Sequence, residues 1–129
     1  MAEGSIEQSG TPAIRTVMMP RDTNPQGTIF GGVILSLIDQ AAFVEALRHA
    51  SHTWVTVAMD QIVFHEPVRV GDVLCLWART IRVGRTSLRV AVEVTAQRMR
   101  GDNEDVKVTE GEVTLVAIDD DGKPTPIGG

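Results

Sequence analysis

The 129-residue sequence predicts an α+β fold in which one helix covers one face of an antiparallel sheet. Three observations carry this expectation. A single long helical pattern runs from Gly31 to about Ala50, and four strand-like runs follow it. The runs are separated by short segments such as Glu66–Asp72 and Gly84-Arg85, not by further helices. Two of the runs are apolar on both faces, so a second protein surface must cover what one helix cannot.

Taken in order, Ile14–Met18 reads as a short strand, followed by a turn-rich stretch, Pro20 to Gly27, and the pair Gly31-Gly32 that opens the helix. The strand runs are Thr53–His65, Val73–Val83, Thr86–Met99 and Val106–Ile118. In the third, Leu88, Val90, Val92, Val94 and Ala96 alternate with polar residues, giving one dry and one wet face. In the last, apolar parity changes between Val108 and Val113, and Gly111 in between predicts a bulge there. Thr53–Phe64 and Val73–Val83 carry apolar residues on both parities, so the chain is expected to associate. Residues 1–12 and 119–129 read as flexible polar tails around a domain at 13–118.

Composition narrows the function. A chain this short holds one core, and 43% apolar with 22% charged residues is ordinary for a soluble protein. The formal charge of −5 argues against a nucleic-acid partner. One cysteine, Cys75, excludes an internal disulfide framework and a Cys-rich zinc site, and it reads as a buried thiol in a strand. His49 and His52 near the helix end read as structural, so no metal is expected. The N-terminus lacks a signal-peptide core, and Gly31–Val44 is too short to span a membrane, which makes a cytoplasmic protein the expectation. Charge is uneven. Six arginines lie between Arg79 and Arg100 against one acid, and eight acids lie between Asp102 and Asp121 against one lysine. The basic run is mostly a solvated face, yet arginines there suit phosphate.

The helix carries the chemical clue. Between Gly31 and Val44 the only charge is Asp39, with Val33, Leu37, Ala41 and Val44 to one side and Leu35, Ala42, Phe43 and Ala46 to the other. A helix apolar nearly all round is a buried one. No Lys or Arg lies three or four residues away to pair with Asp39, and a desolvated carboxylate is a base or nucleophile in waiting. A structural acid reaching solvent at a helix edge is the alternative. Upstream, Gly31 and Gly32 sit where first-turn amides are unpaired and can hold a developing oxyanion.

Together, Asp22-Thr-Asn-Pro-Gln-Gly-Thr-Ile-Phe-Gly-Gly-Val-Ile-Leu-Ser-Leu-Ile-Asp39, Val55–Asp60, Phe64–Asp72 and Val83–Leu88 resemble the acyl-CoA hydrolases of the hotdog superfamily. The likeness is greatest to bacterial short broad-specificity thioesterases and animal cytosolic acyl-CoA hydrolases. It implies a curved antiparallel sheet wrapped around one long helix, and dimers, often joined as hexamers (a trimer of dimers), with active sites between subunits. It implies hydrolysis of acyl-CoA to fatty acid and coenzyme A, with no cofactor beyond the substrate's own coenzyme. Asp39 takes the catalytic carboxylate's position, as water activator or direct nucleophile, and Gly32 or Gly31 polarises the carbonyl. Asn24 and Thr28 fall at substrate-facing positions, although Thr28 stands where relatives often carry Asn or Asp. Arg85, Thr86 and Ser87 match a coenzyme-binding turn. Two rivals share the fold. A hydratase needs His where this chain has Gly27, and an acyl-CoA sensor usually lacks the catalytic acid and adds a DNA-binding domain.

Overall fold

The computed structural model describes residues 10–98 and 105–128. The readings made on residues 1–9, Met99, Arg100, Asp102, Glu104 and Gly129 lie outside them. Five strands and one helix form: β1 (Ile14–Val17), α1 (Gly31–His49), β2 (Thr53–Phe64), β3 (Val73–Val83), β4 (Ser87–Gln97) and β5 (Asp105–Ile118), with a 3-10 turn at Pro20–Asp22. The sheet is antiparallel throughout, in the order β1-β3-β4-β5-β2, and curls around α1.

β4 lies at the sheet's centre, and its alternation does what the sequence asked. Leu88, Val90, Val92, Val94 and Ala96 are all buried beneath the helix. Val113, Leu115 and Ala117 of β5 and Leu74 and Leu76 of β3 extend that dry floor. Onto it α1 presses Ile34, Ile38, Ala41, Ala42 and Ala46, whose spacing of three and four residues is one helical stripe. The alanines let the helix axis come close to the strands. Arg48 and His49 in the last turn suit the negative end of the helix dipole.

Four expectations need correction. The helix is buried on one stripe only: Phe43 and Leu47 stay 42% and 46% exposed, and Asp39 is half-buried. An all-round apolar helix shows no face of its own, and the buried stripe takes Ala41, Ala42 and Ala46 from the two proposed lines and adds Ile34 and Ile38, which neither held. The β5 bulge lies at Val108, since Val94 pairs with Thr109 and Thr95 with Lys107. Gly111 pairs regularly with Val92 and is glycine for another reason: a Cβ there would lie 2.4 Å from Ile62 Cδ1. The C-terminal stretch folds back despite its polarity. Thr125 and Ile127 donate to the Ala117 and Arg85 carbonyls, and Ile127 packs against the core. Finally, β2 is not a simple two-faced strand. Its register shifts between Thr56 and Ala58 and again between Asp60 and Val63, and Gln61 takes φ +55° in the second shift. The two bulges put Trp54, Thr56, Met59, Ile62 and Phe64 toward the helix side.

Cys75 is buried as expected, and it also accepts a hydrogen bond from Arg15 Nη1 at 3.3 Å. β2 is an edge strand. Val55, Val57, Val63 and Phe64 on it are 38%, 58%, 44% and 49% exposed.

Candidate active site

The chain reaches the helix through a loop that Asn24 organises. Its Oδ1 accepts the N–H groups of Gln26 and Thr28, both at 3.0 Å, and its Nδ2 donates to Thr28 Oγ1 at 2.9 Å. Gly27 closes the turn at φ +86°, a conformation that favours glycine. Asn24, expected to face substrate, closes this loop with its Oδ1 and one Nδ2 hydrogen and keeps a second N–H on the amide. Thr28 keeps one hydroxyl proton free to donate. Ile29 then donates to the Val68 carbonyl at 2.8 Å and Phe30 to that of Asp22 at 3.0 Å, which fixes where the helix starts.

Phe30 caps the helix without a side-chain bond, so no cap takes up the Gly31 and Gly32 amides of the first turn. Gly31 is needed for packing, since a Cβ there would meet Phe64 Cζ at 3.3 Å. Gly32 is exposed and a Cβ on it would meet nothing within 4 Å. Glycine in a helix costs about 1 kcal/mol against alanine, and nothing in the described chain explains it here. Beside this end lies a cleft of about 270 Å³, lined by Ile29, Gly31, Ile34, Phe64, Pro67 and Val68, with His65 and Glu66 at its rim.

Asp39 stands two turns along from Gly32, on the same uncovered side of the helix. Its Oδ1 accepts a hydrogen bond from Thr56 Oγ1 of β2 at 2.6 Å. The desolvation expected from sequence is thus incomplete in one chain. Sequence reasoning gave Thr56 no part, because its partner lies 17 residues away and two bulges hide which way it faces. His65 Nε2 sits 2.8 Å from Glu110 Oε2, a partner 45 residues away in the chain. Lys107 bonds the same carboxylate at 2.9 Å and, ahead of His65, holds Glu110 below the usual carboxylate range.

The turn at Arg85, Thr86 and Ser87 is stapled from both sides. Gly84 donates to the Ser87 carbonyl at 2.7 Å, Ala117 to Thr86 and Ile127 to Arg85, both at 2.9 Å. The Arg85 side chain is exposed and enters no ion pair among the described residues. Ser87 pairs with Val116, which pairs with Val55, so the turn lies two strands, about 10 Å, from the strand segment that holds Asp39. The remaining arginines of the basic run divide. Arg89 is taken by Asp60 and Glu112, and Arg98 by Asp72 and Glu66, while Arg79 and Arg82 are exposed. His52 contacts the Ile127 carbonyl and the edge of Trp54, a structural role. Among the described residues no group of three His, Cys, Asp or Glu is placed to hold a metal, and no helix is long and apolar enough to cross a membrane.

A carboxylate, unpaired amides, an apolar cleft and a free arginine are the parts of an acyl-transfer site. Known proteins agree. Residues 26–101 match the thioesterase superfamily. An uncharacterised acyl-CoA thioester hydrolase of Zymomonas mobilis is 48% identical over 95% of this chain and 81% of that protein. The acyl-CoA thioester hydrolase YciA of Salmonella typhimurium is 38% identical over 92% of this chain and 90% of its own length. Among solved structures, a hexameric hotdog-fold thioesterase of Campylobacter jejuni gives a TM-score of 0.87 at 46% identity, covering 92% of this chain and 90% of that one. The chain belongs to the thioesterase superfamily, among its hotdog-fold acyl-CoA thioester hydrolases.

Proposed function

We propose that the chain hydrolyses acyl-CoA in the cytoplasm, at a site shared between two copies of itself. The thioester carbonyl rests on the Gly31 and Gly32 amides, which receive the charge that develops on its oxygen. Asp39 takes a proton from water, whose oxygen adds to the carbonyl carbon, or it adds directly and forms an anhydride that water then opens. In either route the carbon–sulfur bond breaks, coenzyme A leaves as thiolate and takes up a proton, and a free fatty acid remains. The chemistry asks for no cofactor. Arg85, with Thr86 and Ser87, holds the coenzyme phosphates, and the cleft at Phe64 and Val68 takes apolar substrate. A hydratase has no support, since Gly27 stands where its base belongs.

The observation that carries the shared site is the spacing on the helix. Seven residues separate Gly32 from Asp39, about 10.5 Å along the axis. That is too far for one carbonyl to touch both amide and carboxylate in direct attack. Two helices packed antiparallel about a two-fold axis near Leu35 and Ser36 bring Asp39 of each copy opposite Gly32 of the other. The empty space at Gly32 and the apolar edge strand beside it support this packing. The dimer, and a hexamer of three such dimers, are the assemblies we propose.

Complementation tests it. Asp39→Asn removes the carboxylate, and Gly32→Pro removes the amide N–H at a helix position that tolerates proline. Differently tagged copies of the two inactive variants are co-expressed, and doubly tagged assemblies are assayed for thiol release from short, medium and long acyl-CoA. In a mixed dimer one site carries both defects and the other none, and about half of the dimers in a doubly tagged hexamer are mixed, so roughly a quarter of wild-type turnover returns. Mixed assemblies as inactive as either parent would overturn the shared site, and wild-type protein that releases no thiol would leave only an acyl-CoA-binding role.

A further inference from the structure

We infer that Glu45 closes the second edge of the sheet, shutting a strand-pairing surface on β3 whose fitting partner is the same edge of another copy of this chain. Sheet order leaves two edges. β2 forms one along its whole length. β1 forms the other, but its four residues cover β3 only from Val73 to Leu76. From Trp77 to Val83, β3 has β4 on one side and no strand on the other among the described residues.

Alternation tells which backbone groups face that gap. The carbonyls of Asp72 and Leu76 accept from the N–H groups of Met18 and Ala13, so the even-numbered residues turn toward β1. Ala78 and Thr80 continue that series past the end of β1. The Thr80 N–H meets no strand. It donates to Glu45 Oε2 at 3.2 Å, and the Thr80 hydroxyl donates to the same oxygen at 3.0 Å. The helix thus puts a carboxylate where the carbonyl of a paired strand would sit. Arg48, one turn on, lies 3.8 Å from Glu45 Oε1 and donates to the Pro12 carbonyl at 3.3 Å, which steadies the acid against the chain entering β1. Beside them a cleft of about 610 Å³, bordered by Thr11, Trp77, Ala78 and Arg79, leaves the rest of this edge open.

β2 and β3 differ at this carboxylate. Both carry bulges and exposed apolar residues, Val55 and Val57 on β2, Ile81 and Val83 on β3. Asp39, the helix acid that reaches β2, takes the Thr56 hydroxyl and no backbone amide of that strand. Glu45 takes a backbone amide as well, and so removes a donor that pairing needs. Arg79 and Arg82 are exposed and enter no ion pair among the described residues. Two copies meeting at Thr80 would therefore also bring like charges together, a barrier that salt screens. A dimer joined through β2 has this β3 edge at both ends of its sheet, and an edge that paired with its own kind would add dimer to dimer without closure. That open growth, unlike the cap itself, rests on the proposed β2 dimer.

Glu45→Ala removes the cap, and Glu45→Gln keeps an oxygen for the Thr80 amide. Mass is read by light scattering on the whole protein at several concentrations, in about 0.5 M salt to screen the arginines. Thiol release from acyl-CoA and thermal unfolding are measured on the same samples. Wild type and Glu45→Gln are expected to keep one assembly size. Glu45→Ala should gain about twofold or more in mass, climbing with concentration, while it stays folded with turnover per chain within about twofold of wild type. Adding Ile81→Lys, an exposed edge charge that pairing would bury, should return the wild-type mass. A Glu45→Ala protein that stays at wild-type mass would overturn the inference, and so would equal growth of Glu45→Gln or growth that survives Ile81→Lys. A monomeric wild type whose alanine variant doubles and stops would uphold the cap and bring down the β2 dimer instead. Glu45→Met, which keeps the length without the acceptor, repeats the test should the alanine variant not fold.

Discussion

Arg98→Met isolates what holds the cleft wall in place. Asp72 is only 2% exposed, and its Oδ2 accepts from the backbone N–H of Arg69 at 2.9 Å and from the guanidinium of Arg98. Arg98 also donates to the Pro67 carbonyl at 3.1 Å, so it ties both ends of the Pro67–Asp72 turn. That turn supports the site. The Val68 carbonyl takes the N–H of Ile29 just before the helix, and Met18 donates its N–H to the Asp72 carbonyl while its own carbonyl accepts from the Gly71 N–H. Methionine keeps much of the arginine stem but abandons a buried carboxylate with one backbone donor. Breaking a buried pair from one side costs about 3–5 kcal/mol, and the 18% exposure of the Arg98 side chain points to the lower end. In a domain this size each kcal/mol moves the melting temperature by about 3–5 °C, so a fall of roughly 10 °C or more is expected. Thermal unfolding is measured at one fixed protein concentration, because association itself stabilises. Asp72→Asn added to Arg98→Met should recover a large part of the loss by removing the stranded charge. A fall under about 2 °C, or a double variant no better than the single, would refute the reasoning.

Three further outcomes are expected. Arg85→Ala should raise KM for acyl-CoA and leave hydrolysis of a short thioester without the nucleotide nearly unchanged; equal losses on both would show that the arginine does not grip phosphate. Gly111→Ala sets a Cβ 2.4 Å from the flexible tip of Ile62, so it should cost about 1 kcal/mol, and chemical denaturation should find most of that cost gone in an Ile62→Val background. Glu110, held below the usual carboxylate range by Lys107 and then His65, contributes stability that is present above the unfolded value of about 4.3 and lost as pH falls through its lower folded value. Glu110→Gln should therefore flatten the acid side of the stability curve by under about 1 kcal/mol, given the exposed pair, and an unchanged curve would deny the linkage.

Much of the fold was legible because β4 and the inner half of β5 keep strict alternation, and a period of two leaves little choice of face. β2 was opaque for the opposite reason. Two bulges stretch its inner residues to Trp54, Thr56, Met59, Ile62 and Phe64, a spacing that neither helical nor strand periodicity recognises. The parity change in β5 was visible, but its place was not. Gly111 drew the bulge toward itself, although that glycine answers to the Ile62 side chain and the extra residue is Val108. Asp39 stood out as the lone charge in an apolar helix, which is a property of the sequence alone. Its partner Thr56, the Glu110 bond of His65 and the docking of Ile127 are products of folding, made between residues far apart in the chain. Asn24 came from the resemblance alone, and its part in closing its own turn is visible only in the fold.

The exposed surface explains why assembly and catalysis belong together on the proposed reading. β2 is a 12-residue edge strand with neither proline nor lysine, and Val57 at 58% exposure is its most open large apolar residue. Edges of that kind invite pairing unless charge, proline or a covering element blocks them. On α1, Phe43 and Leu47 also stay open, four and eight residues beyond Asp39. Covering the exposed surface with a second copy removes water from the carboxylate, which raises the strength of its bond to Thr56 and of the amide dipoles at Gly32 alike. A variant that weakens the β2 edge, such as Val57→Lys, should therefore lose activity in proportion to its loss of assembly, with a specific activity that climbs again as protein concentration is raised. A dissociated Val57→Lys chain with undiminished turnover would separate the two, and with them the reason for leaving the edge bare.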